Sequence, residues 1–303
     1  MLARLQQTLV LSWLLGACLW VTLTWRHAPA VTLAGLLVFA FGHSVFLALE
    51  FMAAYRANRH DPAPRAGVFM LVRAWAVEAL AAPRVFFWQQ PFRWNAVPDV
   101  LAPEAAVGGR RGVVFIHGFV CNRGFWNPWL FELRNRDHAF AAVSLEPVFG
   151  SIDDYVPMIE AAVQRVTAAT GLPPVLICHS MGGLAARAWM REHQADARVH
   201  RVITIGTPHH GTWLGHLSPT VNGQQMALRS AWLQQLARDE PAQRSQLFTC
   251  YYSNCDNIVF PASVATLPGA DKRLVPGVPH VALANDRRVM REALAMVLVS
   301  PAG

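Results

Sequence analysis

Apolar positions along the chain fall into three patterns. The first is continuous. From Leu5 to Trp25 no residue carries a charge, and a helix of about 20 residues spans a bilayer core. Arg26, His27 and Pro29 interrupt the run. A second charge-free run goes from Ala28 to Leu49 and continues past Glu50 to about Tyr55. Trp20, Trp25 and Tyr55 lie near the run ends, where amphipathic rings prefer the membrane interface. The pattern predicts a two-helix transmembrane hairpin over residues 1–57. The rival is a cleaved leader with Ala28-Pro29-Ala30 as its cleavage site. The length of the first run, and the second run directly after it, favour the uncleaved hairpin. His43 and Glu50 are assigned no role, because Glu50 is near enough to the end of its run to reach the interface and His43 can be neutral.

The second pattern is periodic and covers residues 58–110, read as a linker. Asp61-Pro-Ala-Pro breaks the membrane element. Val68, Leu71, Val72, Trp75, Ala76 and Leu80 then recur at helical spacing between Ala66 and about Ala82. This predicts an amphipathic helix that packs inward in preference to lying on a membrane surface. Phe86, Phe87, Trp88, Phe92 and Trp94 follow as an aromatic cluster, and Ala102 to Arg111 reads as a loop.

The third pattern fills residues 111–303. Short apolar runs at 112–116, 174–178, 201–205 and 247–252 suit strands covered on both faces. Helical stretches such as Val156 to Thr170 and Leu184 to Glu192 lie between them. Such alternation predicts a mostly parallel sheet with helices on both faces. Residues at the carboxyl ends of the strands then gather along one edge, where such sheets bind ligands.

Composition agrees with a membrane segment: 53% of residues are hydrophobic and 15% charged, against roughly 25% charged in an average globular chain. The net charge of +7 comes without a basic block or aromatic–basic interleaving, so nucleic acid is not an expected partner. Arginines set against anionic lipid head groups account for it as well. Arg4 precedes the first span, and Arg56, Arg59 and Arg65 follow the second, whereas the connecting loop holds only Arg26. The bias places both ends, and the domain after them, on the cytoplasmic side of the inner cell membrane. Cys18, Cys121, Cys178, Cys250 and Cys255 form no disulfide framework. They read as small reduced side chains, although Cys250 and Cys255 are close enough in sequence to pair in an oxidising compartment.

Candidate chemistry sits at the strand ends, in His117-Gly118-Phe119, in His179-Ser180-Met181-Gly182-Gly183 and in Gly206-Thr207-Pro208-His209-His210-Gly211. A strand, a serine and a helix in immediate succession make a sharp turn that lifts the Ser180 hydroxyl above the sheet. The helix start aims its N–H groups at the same spot. Cys178 stands where the Gly-x-Ser-x-Gly pattern has its first glycine, which is a departure.

Together the three motifs resemble bacterial lipases and esterases of the α/β-hydrolase superfamily, from about residue 111 to the C-terminus but not over the hairpin or linker. The resemblance implies an α/β-hydrolase fold and a serine carboxylic-ester hydrolase acting on apolar or lipid-like esters through an acyl-enzyme. In the superfamily's chain order the acid follows the serine and the histidine comes last. The histidine is then His280, which alone follows His216. Acids between Ser180 and His280 include Glu192, Asp196, Asp239, Glu240, Asp256 and Asp271. Glu192 and Asp196 lie on or beside the post-elbow helix, and Asp239 and Glu240 read as solvated surface. Asp256 directly follows an apolar strand, and its setting resembles the acid loop of these lipases. Asp271, read in a loop before the histidine, is the alternative. Backbone N–H groups of Phe119 and Met181 would hold the oxyanion. His117 and His179 match positions that are usually structural, whereas His209 and His210 could line the cleft. Residues 213–245, with Met226, Leu228, Trp232, Leu233 and Leu236 near helical spacing, are either a lid or an ordinary packing helix, and the resemblance favours the lid. No metal-ligand spacing occurs, so no cofactor is expected. An acyltransferase on the same groups, a non-catalytic membrane scaffold and a transporter component are the rival classes.

Overall fold

The computed structural model describes residues 1–101 and 109–298. Most of the loop expected from Ala102 to Arg111 lies outside them.

Two long helices open the chain, α1 (Leu2–Thr24) and α2 (Pro29–Ala57). Pro29 occupies the first turn of α2, where its missing N–H removes no helical bond. The two helices pack on each other but leave most of their large apolar side chains exposed, among them Leu15, Leu33, Val38 and Phe46. Both are long and apolar enough to cross a membrane. The helix predicted between Ala66 and Ala82 is α3 (Val68–Pro83), which continues through a π-helical turn (Arg84–Gln89) into α4 (Gln90–Phe92). Pro83 cannot donate to the carbonyl of Ala79. That carbonyl instead accepts a hydrogen bond from His43 Nε2 on α2 at 3.0 Å, so the proline that disturbs α3 also ties it to α2.

Among the described residues, six strands form one sheet in the order β2-β1-β3-β4-β5-β6. They are β1 (Val113–Ile116), β2 (Phe140–Ala142), β3 (Val175–His179), β4 (Arg201–Ile205), β5 (Phe248–Tyr252) and β6 (Asp271–Leu274). Every pairing is parallel. Side chains alternate between faces. Val113, Phe115, Val175 and Ile177 pack on one side, with Trp129 and Leu130 of α5 (Asn127–Arg134) and Val289 and Ala293 of α11 (Arg287–Leu298). Val114, Ile116, Leu176 and Cys178 face the other side, against α6 (Val156–Thr170) and α7 (Met181–Glu192). Burial on both faces explains why the four inner strands read as unbroken apolar runs.

The two edge strands carry no such signal. β2 is only three residues long, and β6 reads Asp-Lys-Arg-Leu, the charged composition that edges tolerate. The aspartate expected in a loop, Asp271, therefore begins a strand. The segment where a lid is expected contains α8 (Val221–Gln225) and α9 (Ala231–Asp239). Its apolar positions Met226, Leu233 and Leu236 are buried in the core with α7. Glu240, expected on a solvated surface, instead accepts from Arg187 at 2.9 and 2.6 Å, and the Arg187 side chain is only 2% exposed.

Candidate active site

β3 ends at His179, and α7 starts at Met181. Between them Ser180 takes φ +52°, ψ −128°, on the left-handed side of the map, where a residue with a Cβ is strained by about 1–3 kcal/mol. The strain is held by the sheet: Ser180 N–H donates to Ile205 O of β4 at 2.9 Å. The two glycines that follow let α7 begin hard against the strand ends. A Cβ on Gly182 would stand 2.3 Å from Ile116 O, and one on Gly183 would stand 2.3 Å from Thr207 Oγ1. Cys178, in place of the first glycine of the Gly-x-Ser-x-Gly pattern, is wholly buried, and burial pushes its thiol up, keeping it neutral. Met181 opens the first turn of α7, where its own N–H has no intrahelical acceptor. Phe119 is brought alongside by Gly118, where a Cβ would approach Ser180 Cβ to 2.8 Å.

Asp256 sits in the turn after β5 and is 2% exposed. Its Oδ1 accepts from the N–H groups of Ile258 and Val259 at 2.9 and 2.7 Å. Its Oδ2 is thereby turned to His280 Nδ1, 2.8 Å away. His280 begins α10 (His280–Leu283). Its N–H donates to Asn257 Oδ1 at 3.2 Å, and its carbonyl accepts from His179 Nε2 at 3.2 Å. Burial pushes the His280 imidazole down. Asp256, with the charges of Glu78 and Glu50, outweighs burial and leaves it raised above the usual histidine value. Asp271 is not brought to this place. It pairs with Thr249, near the start of β5, and strands in parallel register present their starts at the edge opposite Asp256. Its carboxylate accepts from Arg273 Nε at 2.9 Å.

Ser180 and His280 line one cavity of about 540 Å³, together with Phe119 and Asn257. The wall facing them comes from outside the sheet domain: Phe46 and Leu47 of α2, Ala82 of α3, and Phe86 and Phe87 of the π-turn. Among the described residues, none from 213–245 lines it.

Two buried carboxylates complete the wall, and sequence reasoning gave neither a role. Glu50, expected to reach the interface, is 9% exposed and accepts from Asn257 Nδ2 at 2.7 Å. Glu78, 1% exposed, accepts from Val281 N–H at 2.7 Å and Ala282 N–H at 3.2 Å. Burial raises the Glu78 carboxyl to about 7, while the Val281 N–H, the His280 charge and the Ala282 N–H pull the other way. A signal was present in each case: Glu50 is the lone formal charge in the second apolar run, and Glu78 is the only acid in α3. An isolated acid in apolar sequence marks a place where a carboxylate has partners.

The other histidines divide clearly. His117 accepts from Leu145 N–H at 2.9 Å through Nε2, and burial lowers it to about 4, which suits a neutral bracket. His179 stacks on Phe125 with 4.5 Å between ring centroids. His209, expected to be able to line the cleft, is 1% exposed and bonds Thr204 Oγ1 at 3.0 Å, inside the core. All five cysteines are free.

The parallel sheet with helices on both faces agrees with what comparison with known proteins finds. The model of the alpha/beta hydrolase family matches residues 113–301, and the chain belongs to that family. Among solved structures, the mature form of the lipase BlEst2 from Bacillus licheniformis is similar, with TM-score 0.56 and 18% identity over 63% of this chain and 94% of that one. Lipase B of Aspergillus fumigatus is similar with TM-score 0.55 and 15% identity over 65% of this chain and 54% of that one. A GPI inositol-deacylase of Phaeosphaeria nodorum is 33% identical over 100 residues, which are 31% of this chain and 9% of the deacylase. This chain thus matches only a small part of that curated relative's length.

Proposed function

We propose that this protein is a membrane-anchored serine hydrolase of carboxylic esters, with Ser180 as nucleophile, His280 as general base and Asp256 as the carboxylate that orients it. The observation that carries the reading is the buried 2.8 Å contact between His280 Nδ1 and Asp256 Oδ2 at a cavity that Ser180 also lines. With Nδ1 donating to Asp256, Nε2 keeps its lone pair for the serine proton. Ser180 Oγ attacks the ester carbonyl as its proton passes to Nε2. The tetrahedral oxyanion is held by the Phe119 and Met181 N–H groups. Collapse breaks the bond to the alcohol oxygen, which takes the proton from Nε2 and leaves. Water then repeats the sequence on the acyl-enzyme and releases the acid.

Apolar or lipid-like esters suit the cavity, because its outer wall is aliphatic and aromatic and belongs in part to α2. At about 1.5 Å per residue, the 29 residues of α2 extend about 43 Å, more than the bilayer's hydrocarbon thickness of about 30 Å. The surplus carries the cavity wall toward the membrane surface, within reach of acyl chains. An ester series of increasing acyl length, assayed on detergent-solubilised protein, tests this. We expect kcat/KM to rise by up to about fourfold per added methylene until the cavity is filled, from the usual gain on burying a methylene. A profile that is flat, or highest for acetyl esters, would refute the lipid-like assignment.

The hairpin orientation follows the arginine bias, with the hydrolase domain in the cytoplasm. A green-fluorescent-protein fusion after Gly303 is expected to fluoresce, and an alkaline-phosphatase fusion there to be inactive. The reverse pair, or a mature N-terminus at Val31, would place the domain on the outer side and leave the chemistry unaffected.

A further inference from the structure

Glu50 and Glu78 take no part in the steps above, yet both are buried against the loop that carries His280. Glu78 occupies the N–H groups of Val281 and Ala282, which the first turn of α10 leaves without intrahelical acceptors. Glu50 holds Asn257 Nδ2, and the other end of that amide accepts the His280 N–H. One carboxylate therefore secures His280 from the residues after it, and the other from its own backbone nitrogen. The same elements are tied to the acid loop farther out. Asn58 Oδ1 accepts from Ala262 N–H at 2.8 Å, and Asp61 accepts from Ser263 Oγ at 2.5 Å. Asn254 Nδ2 donates to Pro64 O at 2.9 Å. Phe51 of α2, Ala74 of α3 and Cys255 share one small apolar cluster.

We propose that Glu50 and Glu78 are positioning residues for His280: carboxylates supplied by the N-terminal helices that fix the imidazole beside Ser180. The hairpin and the helix after it are then part of the catalytic machinery as well as its anchor. The proposal rests on the reading of His280 as the general base.

Ionisable groups are set against His280 from the elements around it, Asp256 after β5, Glu50 on α2, Glu78 on α3 and His179 at the elbow, and His43 of α2 lines the same cavity. The rings of His179 and His280 are 4.6 Å apart, and burial holds His179 well below the usual histidine value, so it adds no positive charge. The imidazolium formed during attack is thus surrounded by three carboxyl groups. Attack requires neutral His280, so the acid limb of kcat/KM follows the pH at which His280 loses its proton. Removing a negative neighbour makes His280 less basic and moves that limb to lower pH.

The test uses the full-length protein in detergent, with active sites counted by fluorophosphonate labelling so that unfolded molecules do not enter the rate. We expect Glu78→Gln and Glu50→Gln, which keep side-chain shape, to move the acid limb down by about half to one pH unit each. Glu78→Ala should lower kcat per labelled site by about 10- to 100-fold, with KM changed by less than about twofold, as for a misplaced catalytic group. Glu78→Gln should restore part of that kcat but not the wild-type limb. A lower Tm with wild-type kcat per site and an unmoved acid limb would show that the carboxylates only hold the fold together, and would overturn the proposal. If Glu78→Ala fails to fold, the two glutamine variants decide. A wild-type protein that the probe does not label would overturn the parent reading of Ser180 and His280, and this proposal with it.

Discussion

Ser180→Ala is expected to abolish fluorophosphonate labelling and to reduce ester hydrolysis by about 10⁶-fold, the scale on which a serine hydrolase loses turnover without its nucleophile. The fold should persist. Ser180 is 6% exposed, and alanine keeps the Cβ that packs beside Gly118. The backbone bonds that hold the turn, Ser180 N–H to Ile205 O and Gly183 N–H to Ser180 O, do not involve the hydroxyl. The left-handed φ is no harder for alanine than for serine, so Tm should change by only a few degrees. Full labelling of the folded variant would show that another residue is the nucleophile and would remove the reason for the elbow's strain.

Asp256→Asn should lower kcat by about 10⁴-fold, as loss of the orienting carboxylate does in a serine protease. The amide oxygen can keep the bonds from Ile258 and Val259. The amide nitrogen then faces His280 Nδ1 and donates to it. That forces the imidazole proton onto Nε2, the nitrogen that has to accept from Ser180. Geometry survives while the tautomer is wrong, so the variant should fold normally and bind substrate with little change in KM. Asp271→Asn is the control. Its carboxylate is 42% exposed, and its Arg273 partner 35%. Such a pair contributes about 0–1 kcal/mol to stability and stands at the far edge of the sheet. Activity should stay within about twofold of wild type, as expected for a surface change away from the site. A large loss from Asp271→Asn, with Asp256→Asn active, would reverse the assignment.

The parts of the molecule legible in the sequence are those whose physics is local. Each inner strand is buried on both faces, so its apolar run stands out whatever it packs against. The elbow is legible because a serine between a strand and a helix needs small neighbours, and Gly182 and Gly183 are adjacent in sequence. Asp256 could be singled out because the end of β5 is marked by the end of an apolar run. Edge strands β2 and β6 left no comparable mark: three residues are too few for a period, and Asp271-Lys-Arg-Leu274 reads as loop because an edge tolerates charge. Misreading β6 kept Asp271 alive as an alternative acid. In the fold, parallel pairing carries it to the opposite edge.

By itself the sequence determined two apolar helices long enough for a membrane and a parallel sheet covered on both faces, and its resemblance to the α/β-hydrolase superfamily marked Ser180, Asp256 and His280 as candidates. The helices and the sheet depend on composition and periodicity, and the candidates on the superfamily's chain order. Only the tertiary structure decided what surrounds His280. Glu50 and Glu78 lie more than 200 residues before the groups they bond, on helices that sequence assigned to an anchor and a linker. It also decided that α2, α3 and the π-turn wall the cavity, while α9 packs into the core. Both stretches are amphipathic or apolar helix, and periodicity states which face is buried, not against what. The partner of a buried face is set by long-range packing, and a carboxylate's role is set by whichever N–H groups that packing brings to it.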